Sequence, residues 1–353
     1  MADVARHAGV SSQTVSRVAN GHTNVDAATR EKVAQAMQEL GYRPNGAARA
    51  LRTGRFRTIG VIMFTLETFG NLRTLDAIAM EAAHAGYSVM LMPVYAPTLV
   101  HVSGAYSRMS EQAVDGVVII FEAHLLDHAE FALPPGLPFV VVTSSPAAGY
   151  SAVDTDQADG ARQATRHLLH LGHRQVWHIA GPQTSFAAAL RVESWRSTLQ
   201  EAGIEPPDVL YGDWSADSGY RCGLTLARRP EVTAIFTGND QMALGALRAL
   251  HELGRDVPGE VSIVGFDDMA EADSFFPPLT TVHQDFAAVG RLSIRRLLEK
   301  VAGDTDTDAE TGAETDSDMT VVPTRLVVRD STASPRPASV SASEPASEPA
   351  SEA

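Results

Sequence analysis

The sequence predicts a small all-α helix-turn-helix head joined to an α/β body of two lobes, each built on a parallel sheet. Three observations predict it. Residues 3–20 place two short apolar-faced segments on either side of Gly9. From Thr58 onward, continuous Val/Ile runs alternate with amphipathic stretches. Charge is also divided unevenly: up to Arg57, nine Lys/Arg stand against four Asp/Glu, a net of +5 in a chain of −15, which leaves −20 on the rest. A cationic head on an acidic body predicts that the head meets nucleic acid, since phosphate repels the remainder.

In the head, Val4, Ala5 and Ala8 recur at helical spacing, Gly9 supplies a tight turn, and Ser11 opens a second helix. Val10, Val15 and Val18 continue the apolar side. The second helix then turns Ser12, Gln13, Ser16, Arg17 and Asn20 outward, side chains that hydrogen-bond base edges and phosphates. Asp26 or Thr29 caps a third helix, Ala28 to Leu40, closed by Gly41. Residues 1–45 form this head. Residues 46–57 read as a linker in which Ala47 to Arg52 have room for one and a half turns of helix, too few to stand without DNA or a partner chain. The first helix starts almost at Met1, so it is expected either to fray or to be preceded by further residues upstream.

In the body, strands are expected at Ile59–Phe64, Ser88–Val94, Val117–Phe121 and Pro138–Thr143, with helices at Leu75–Ala85 and Ala105–Ala113. A second series follows, with strands at Gln175–Ala180, Asp208–Tyr211, Ala234–Thr237 and Ser262–Phe266. Its helices are Ala158–Leu171, Ala188–Ala202, Ser218–Ala227 and Gln241–Leu253. Two consecutive series imply two lobes and a cleft beyond the carboxyl ends of their strands. Lobe 1 is expected over about 58–155 and 285–302, and lobe 2 over about 156–282 and 320–330. Thr320–Val328 reads as one returning strand, 303–319 as an acidic solvated insertion, and the Ser/Ala/Pro/Glu-rich 331–353 as a disordered tail.

Several function classes have no support. No apolar run reaches the roughly 18 residues of a membrane helix, and no signal peptide opens the chain, so no membrane partner and a cytoplasmic location are expected. Cys222 is the sole cysteine, which removes intrachain disulfides and thiolate metal sites. Neither a phosphate-binding glycine loop nor a G-x-S-x-G turn occurs, so no catalytic residue and no cofactor are expected. His167, His170 and His173 share a helix face without an evident fourth ligand, and no metal is expected there. Asp154, Asp156 and Asp159 read as acids at the positive end of a helix.

The run Asp3–Asn20, with Thr29-Arg30-Glu31-Lys32-Val33 and Leu40-Gly41-Tyr42-Arg43-Pro44-Asn45, resembles the LacI/GalR family of bacterial transcription regulators. Further landmarks are Asn239-Asp240-Gln241-Met242-Ala243-Leu244-Gly245-Ala246, Ser262-Ile263-Val264-Gly265-Phe266-Asp267-Asp268 and Pro277-Pro278-Leu279-Thr280-Thr281-Val282. The resemblance extends through about Asp330. It implies a periplasmic-binding-protein-like body and a homodimer whose recognition helices enter successive major grooves of a palindromic double-stranded DNA operator. Within that frame, Ser12 and Gln13 take the main base-reading positions, while Thr14, Ser16 and Arg17 support base and phosphate contacts. Asn20 lies near the backbone. Leu51 takes the position of a minor-groove wedge.

The same resemblance implies an allosteric repressor of carbohydrate-utilisation genes, controlled by a small sugar in the cleft. Arg191, Asn239 and Asp267 fall at hydroxyl-binding positions, and Trp214 and Phe286 at the aromatic wall. Taken singly, Asn239 could be only a helix N-cap and Trp214 only a core residue. Thr143 and Ile120 stand where the nearest pattern in the family has polar groups, so contacts from Glu67 or Glu122 enter as replacements.

Overall fold

The computed structural model describes residues 1–43, 50, 54–95, 99–120, 133, 136–144, 150–303 and 319–336. The chain separates into two compact units, Met1–Arg57 and Thr58–Ala353.

The first unit is built from α1 (Ala2–Ala8), α2 (Ser12–Ala19) and α3 (Ala27–Glu39). Gly9 ends α1 at φ 66°, and its N–H returns to the Ala5 carbonyl. A Cβ there would meet no atom within 4 Å, so the left-handed backbone, not crowding, calls for glycine. The Ser11 hydroxyl accepts from Thr14 N at 3.1 Å to start α2. Asp26, rather than Thr29, caps α3, its carboxylate accepting from Thr29 N at 2.9 Å. Val4, Ala5, Val15, Val33 and Ala36 form the buried centre, flanked by Val10, Val18, Met37 and Tyr42. On the outside, His7 Nε2 meets Glu39 Oε2 at 2.6 Å and joins α1 to α3. No side chain caps α1, yet its first turn is closed by Ala5 N donating to the Met1 carbonyl at 3.0 Å.

The second unit holds two six-stranded sheets. The first comprises β1 (Thr58–Met63), β2 (Ser88–Pro93), β3 (Gly116–Ile120), β4 (Phe139–Val142), β5 (Ala152–Thr155) and β11 (Met319–Val322), in the order β11-β5-β4-β3-β1-β2, all parallel. The second comprises β6 (Trp177–Ala180), β7 (Leu210–Tyr211), β8 (Ala234–Thr237), β9 (Ser262–Asp267), β10 (Thr280–His283) and β12 (Arg325–Val327), in the order β12-β10-β9-β8-β6-β7. Only β12 runs antiparallel there.

The unbroken apolar runs are explained by burial on both faces. In β3, Val118 and Ile120 enter one core with Ile78, Ile294 and Leu297, while Val117 and Ile119 enter another with Val102, Tyr106 and Met109. Side chains alternate faces along a strand, so a strand covered on both sides must be apolar at every position. The second sheet repeats the arrangement, with Ile235 and Ile263 on one side and Phe236, Val264 and Phe266 on the other.

Several expectations are corrected. Thr320–Val328 is not one strand: β11 completes the first sheet, β12 pairs in the second, and the chain crosses between them at 323–324. Residues 319–322 therefore belong with lobe 1. Nor is 331–336 disordered. Ser331 is fully buried, its hydroxyl donating to the Ile263 carbonyl at 2.6 Å and accepting from Thr280 N at 2.8 Å. His173 reaches the Ala333 carbonyl at 3.0 Å and His167 the Thr332 hydroxyl at 2.9 Å, which gives these histidines a structural role. The composition of this stretch hides the order because backbone and hydroxyl bonds, not apolar side chains, hold it.

The helix Phe69–His84 starts six residues ahead of the expected Leu75, and Leu99–Ser110 likewise starts ahead of Ala105. The added turn of the first contains buried Asn71 and Thr74, polar residues that break the apolar period. Strands β5 and β10 and the helix Phe286–Gly303 were not expected as elements; β5 carries Asp154 and Thr155 in only four residues.

Candidate functional site

The chain passes between the sheets three times: after Thr155, after His283 and after Val322. These crossings are tied together. Asp156 N donates to the Val322 carbonyl at 2.8 Å, and the Thr324 hydroxyl donates to the Asp156 carbonyl at 3.1 Å. The Thr155 hydroxyl donates to Gln284 Oε1. The carboxyl ends of β4, β5 and β9 and the start of the helix Phe286–Gly303 then face one cavity, with about 660 Å³ of empty space including its open mouth.

All five residues singled out for an effector, Arg191, Trp214, Asn239, Asp267 and Phe286, line this cavity. Arg191 projects from the helix Phe186–Glu201 and is 4% exposed. Its Nε donates to Gln157 Oε1 at 2.8 Å, another N–H donates to the Gly238 carbonyl, and the guanidinium lies 3.7 Å from the Phe266 ring centroid. The fork is thus held in a fixed orientation before any ligand arrives. Asp267 ends β9 at φ 110° and accepts from Gln284 Nε2 at 2.6 Å. Burial pushes its carboxyl up to about 6, against the opposing pull of Arg191 and the Gln284 hydrogen bond.

Asn239 serves as a structural cap: its Oδ1 accepts from Met242 N at 2.8 Å and its Nδ2 donates to the Trp214 carbonyl at 3.0 Å. One amide hydrogen remains for a ligand. Trp214 adopts φ 72°, and a Cβ on Gly181 would overlap its indole. Phe286 packs edge-to-face on Phe69, centroids 6.0 Å apart. Two of the four described non-glycine residues with left-handed φ, Trp214 and Asp267, therefore lie on the cavity wall. Such geometry costs on the order of 1–3 kcal/mol at each position and concentrates at functional sites.

Residues that sequence reasoning missed complete the lining. Asp154 does not sit at a helix end; it is buried on the cavity wall, and desolvation raises its carboxyl above the usual range. Asp156 and Asp159 do serve the helix Gln157–His170, with Asp156 capping and Asp159 pairing with Arg162 at 2.7 Å. Gln157 and Gln284, 3.2 Å apart, link Arg191, Asp154, Thr155 and Asp267 into one polar network. The signal available was their position just after strand ends, at points where the chain changes sheet. Thr143 and Ile120 line the cavity as expected, Glu67 lies on an adjoining hollow, and Glu122 falls outside the described residues.

On the head, α2 exposes Ser12, Gln13 and Arg17, while Thr14, Ser16 and Asn20 are partly covered. Gln13 and Arg17 are four residues apart and so share a helix face. The Thr14 hydroxyl meets Ser11 Oγ at 2.9 Å, and Asn20 Nδ2 folds back to the Ser16 carbonyl at 2.5 Å. Leu51, with Arg49 and Arg52, lies outside the described residues.

Among the described residues no cluster suited to a metal ion occurs, and no helix is long and apolar enough to cross a membrane. Residues 1–45 match the model for bacterial regulatory proteins of the lacI family, and residues 165–332 match that for a periplasmic binding protein-like domain. The lactose operon repressor of Escherichia coli strain K12 is 36% identical over 341 residues, 96% of this chain and 92% of that protein. The HTH-type transcriptional regulator CelR of Thermobifida fusca is 36% identical over 346 residues, covering 93% and 96%. Among solved structures, the lac repressor dimer bound to operator and the anti-inducer ONPF superposes with a TM-score of 0.80 at 35% identity, covering 94% of this chain and 98% of that one. A CelR–cellobiose complex superposes with 0.68 at 32%, covering 93% and 98%. This chain belongs to the lacI family of bacterial regulatory proteins.

Proposed function

We propose that the protein is a cytoplasmic, sequence-specific repressor of carbohydrate-utilisation genes that binds a palindromic operator as a homodimer and responds to a sugar held between its lobes. One observation carries the reading: Arg191, Asn239, Asp267, Trp214 and Phe286 converge on a single interlobe cavity in a chain whose head exposes Ser12, Gln13 and Arg17 on one helix. A guanidinium and a carboxylate offer paired donors and acceptors to adjacent hydroxyls, and the two aromatic rings offer apolar faces to the C–H side of a pyranose. Relatives known to bind operator DNA with a small ligand, and to bind cellobiose, support the same class of ligand. The sugar acts here as a signal and is not turned over.

In mechanism, a sugar bridging Asp267 of the second sheet and the Phe69–Thr74 turn of the first favours one lobe arrangement. Its effect on DNA equals its differential affinity for the two arrangements, typically about 1–3 kcal/mol. Selection of a palindrome from randomised duplex, followed by release measurements against a sugar panel, tests the reading. A sugar that shifts operator affinity supports it; a selected palindrome indifferent to every sugar removes the effector assignment.

A further inference from the structure

The two acids on the wall of the interlobe cavity are unequally neutralised. Asp267 ends β9 of the second sheet, Asp154 belongs to β5 of the first, and both line the same space. Arg191 is the only Lys or Arg among the described lining residues. At Asp267 its pull is the foremost influence opposing burial. At Asp154 it ranks behind the Ser144 hydroxyl, the Thr155 N–H and Gln157. Asp154 therefore rests chiefly on neutral donors. The Gln157 amide is a poor one, since its Nε2 lies 3.4 and 3.5 Å from the two carboxyl oxygens but 2.8 Å from the Thr155 hydroxyl. Only 8% exposed, Asp154 is a desolvated acid on a ligand cavity without a cation of its own. The same sign continues outside. The hollow that shares Trp214 with the cavity adds Glu67 and Asp213, and the one that shares Phe286 adds Asp268, Glu271 and Asp285 against Arg73 and His283. Arginines outside these hollows pair with Asp213, Asp268 and Asp285, which leaves Glu67 and Glu271 as the unpaired acids among the described residues there. A mouth of that charge draws cations and repels anions.

We propose that the effector is an amino sugar, a pyranose whose protonated amine pairs with Asp154 of lobe 1 while Arg191 and Asp267 of lobe 2 hold its hydroxyls. This inference rests on the sugar-binding reading of the cavity and deepens it. It adds a specificity-determining residue to which the family frame gave no role. Folding has already stripped water from the carboxyl, so binding must desolvate only the ammonium. A neutral sugar leaves Asp154 without a counter-charge, and a phosphorylated or carboxylated one adds a like charge beside it.

The test is calorimetric titration of the full-length protein at neutral pH with the 2-amino-2-deoxy and 6-amino-6-deoxy forms of glucose and galactose. Each is compared with its neutral parent and with its N-acetyl derivative, which removes the charge and keeps the ring. At least one amino sugar should bind about tenfold or more tighter than both of its uncharged counterparts. Asp154→Asn, close to isosteric, should cut that ratio to about threefold or less while leaving affinity for the neutral parent within a few fold. The wild-type ratio decides the matter by itself if the variant fails to fold. Amino sugars that bind no tighter than their parents would overturn the inference and leave the sugar site standing, as would an amine preference that survives Asp154→Asn. Binding of no sugar, charged or neutral, would overturn both.

Discussion

Gln284 Nε2 donates to Asp267 at 2.6 Å while its own carbonyl oxygen accepts from the Thr155 hydroxyl, so one amide side chain spans the ends of β9 and β5. A ligand that competes for Asp267 therefore acts directly on a bond between the two sheets. Movement of one lobe against the other need not travel through a long chain of contacts.

Asp267 should make stability depend on pH in a defined sense. Its carboxyl is raised to about 6 from 3.8, so the folded state holds the proton more tightly than the unfolded state. Stability falls as pH rises through that interval, and above it the ionised group costs roughly 3 kcal/mol. Asp267→Asn should raise Tm at pH 7.5 by several degrees, with the gain shrinking at pH 5. Thermal melts at both values check this; an equal gain at both contradicts it.

Arg191→Ala should abolish the sugar response and lower Tm together. The charge of the side chain offsets part of the burial cost of Asp267, and its N–H groups bond Gln157 and the Gly238 carbonyl, so its removal leaves buried acceptors unsatisfied at about 1–3 kcal/mol each. Operator affinity without sugar, measured by gel shift below the melting range, should stay within a few fold. Retained sugar response would contradict the placement.

On the head, Arg17→Ala and Asn20→Ala should separate. Arg17 is exposed and free to reach base or phosphate, so its loss should weaken operator binding by about 1–3 kcal/mol, five- to 150-fold. Asn20 bonds back to the Ser16 carbonyl, and its loss should chiefly lower the melting temperature of the head. Equal affinity losses with no thermal difference would contradict this division.

Gly181→Ala should remove sugar binding by displacing the Trp214 indole, which the new Cβ would overlap. Gly9→Ala meets no atom and should cost only about 1 kcal/mol through its left-handed backbone. Calorimetry and thermal melts on the two variants distinguish a steric from a conformational requirement.

A chain ended after Asp330 should melt several degrees below one ended after Arg336. Ser331 alone donates its hydroxyl to the Ile263 carbonyl of β9, accepts there from Thr280 N of β10 and accepts at its carbonyl from Ile263 N, and His173 loses its Ala333 partner. Equal melting would show that this segment does not support the second lobe.

What the sequence made legible follows from where the physics is local. Caps such as Ser11 and Asp26, the turn at Gly9 and the double-faced strands around Val117–Ile120 announce themselves through neighbouring residues. Arg191, Asn239, Asp267, Trp214 and Phe286 were found through the family frame, since nothing in their spacing brings them together. Gln157, Gln284 and Asp154 escaped because their roles depend on crossings that juxtapose residues more than a hundred positions apart. Ser331 escaped because a polar residue in a low-complexity setting gives no apolar signal, although its hydroxyl closes two backbone bonds of the second sheet.

The most direct measurement is binding of the purified full-length protein to a selected palindrome and to random duplex at physiological salt, each with and without a saturating sugar drawn from the panel. The account predicts a preference of about 10³-fold or more for the palindrome and a change of at least fivefold on adding the sugar. Equal binding to palindrome and random duplex, unaltered by sugar, would contradict it.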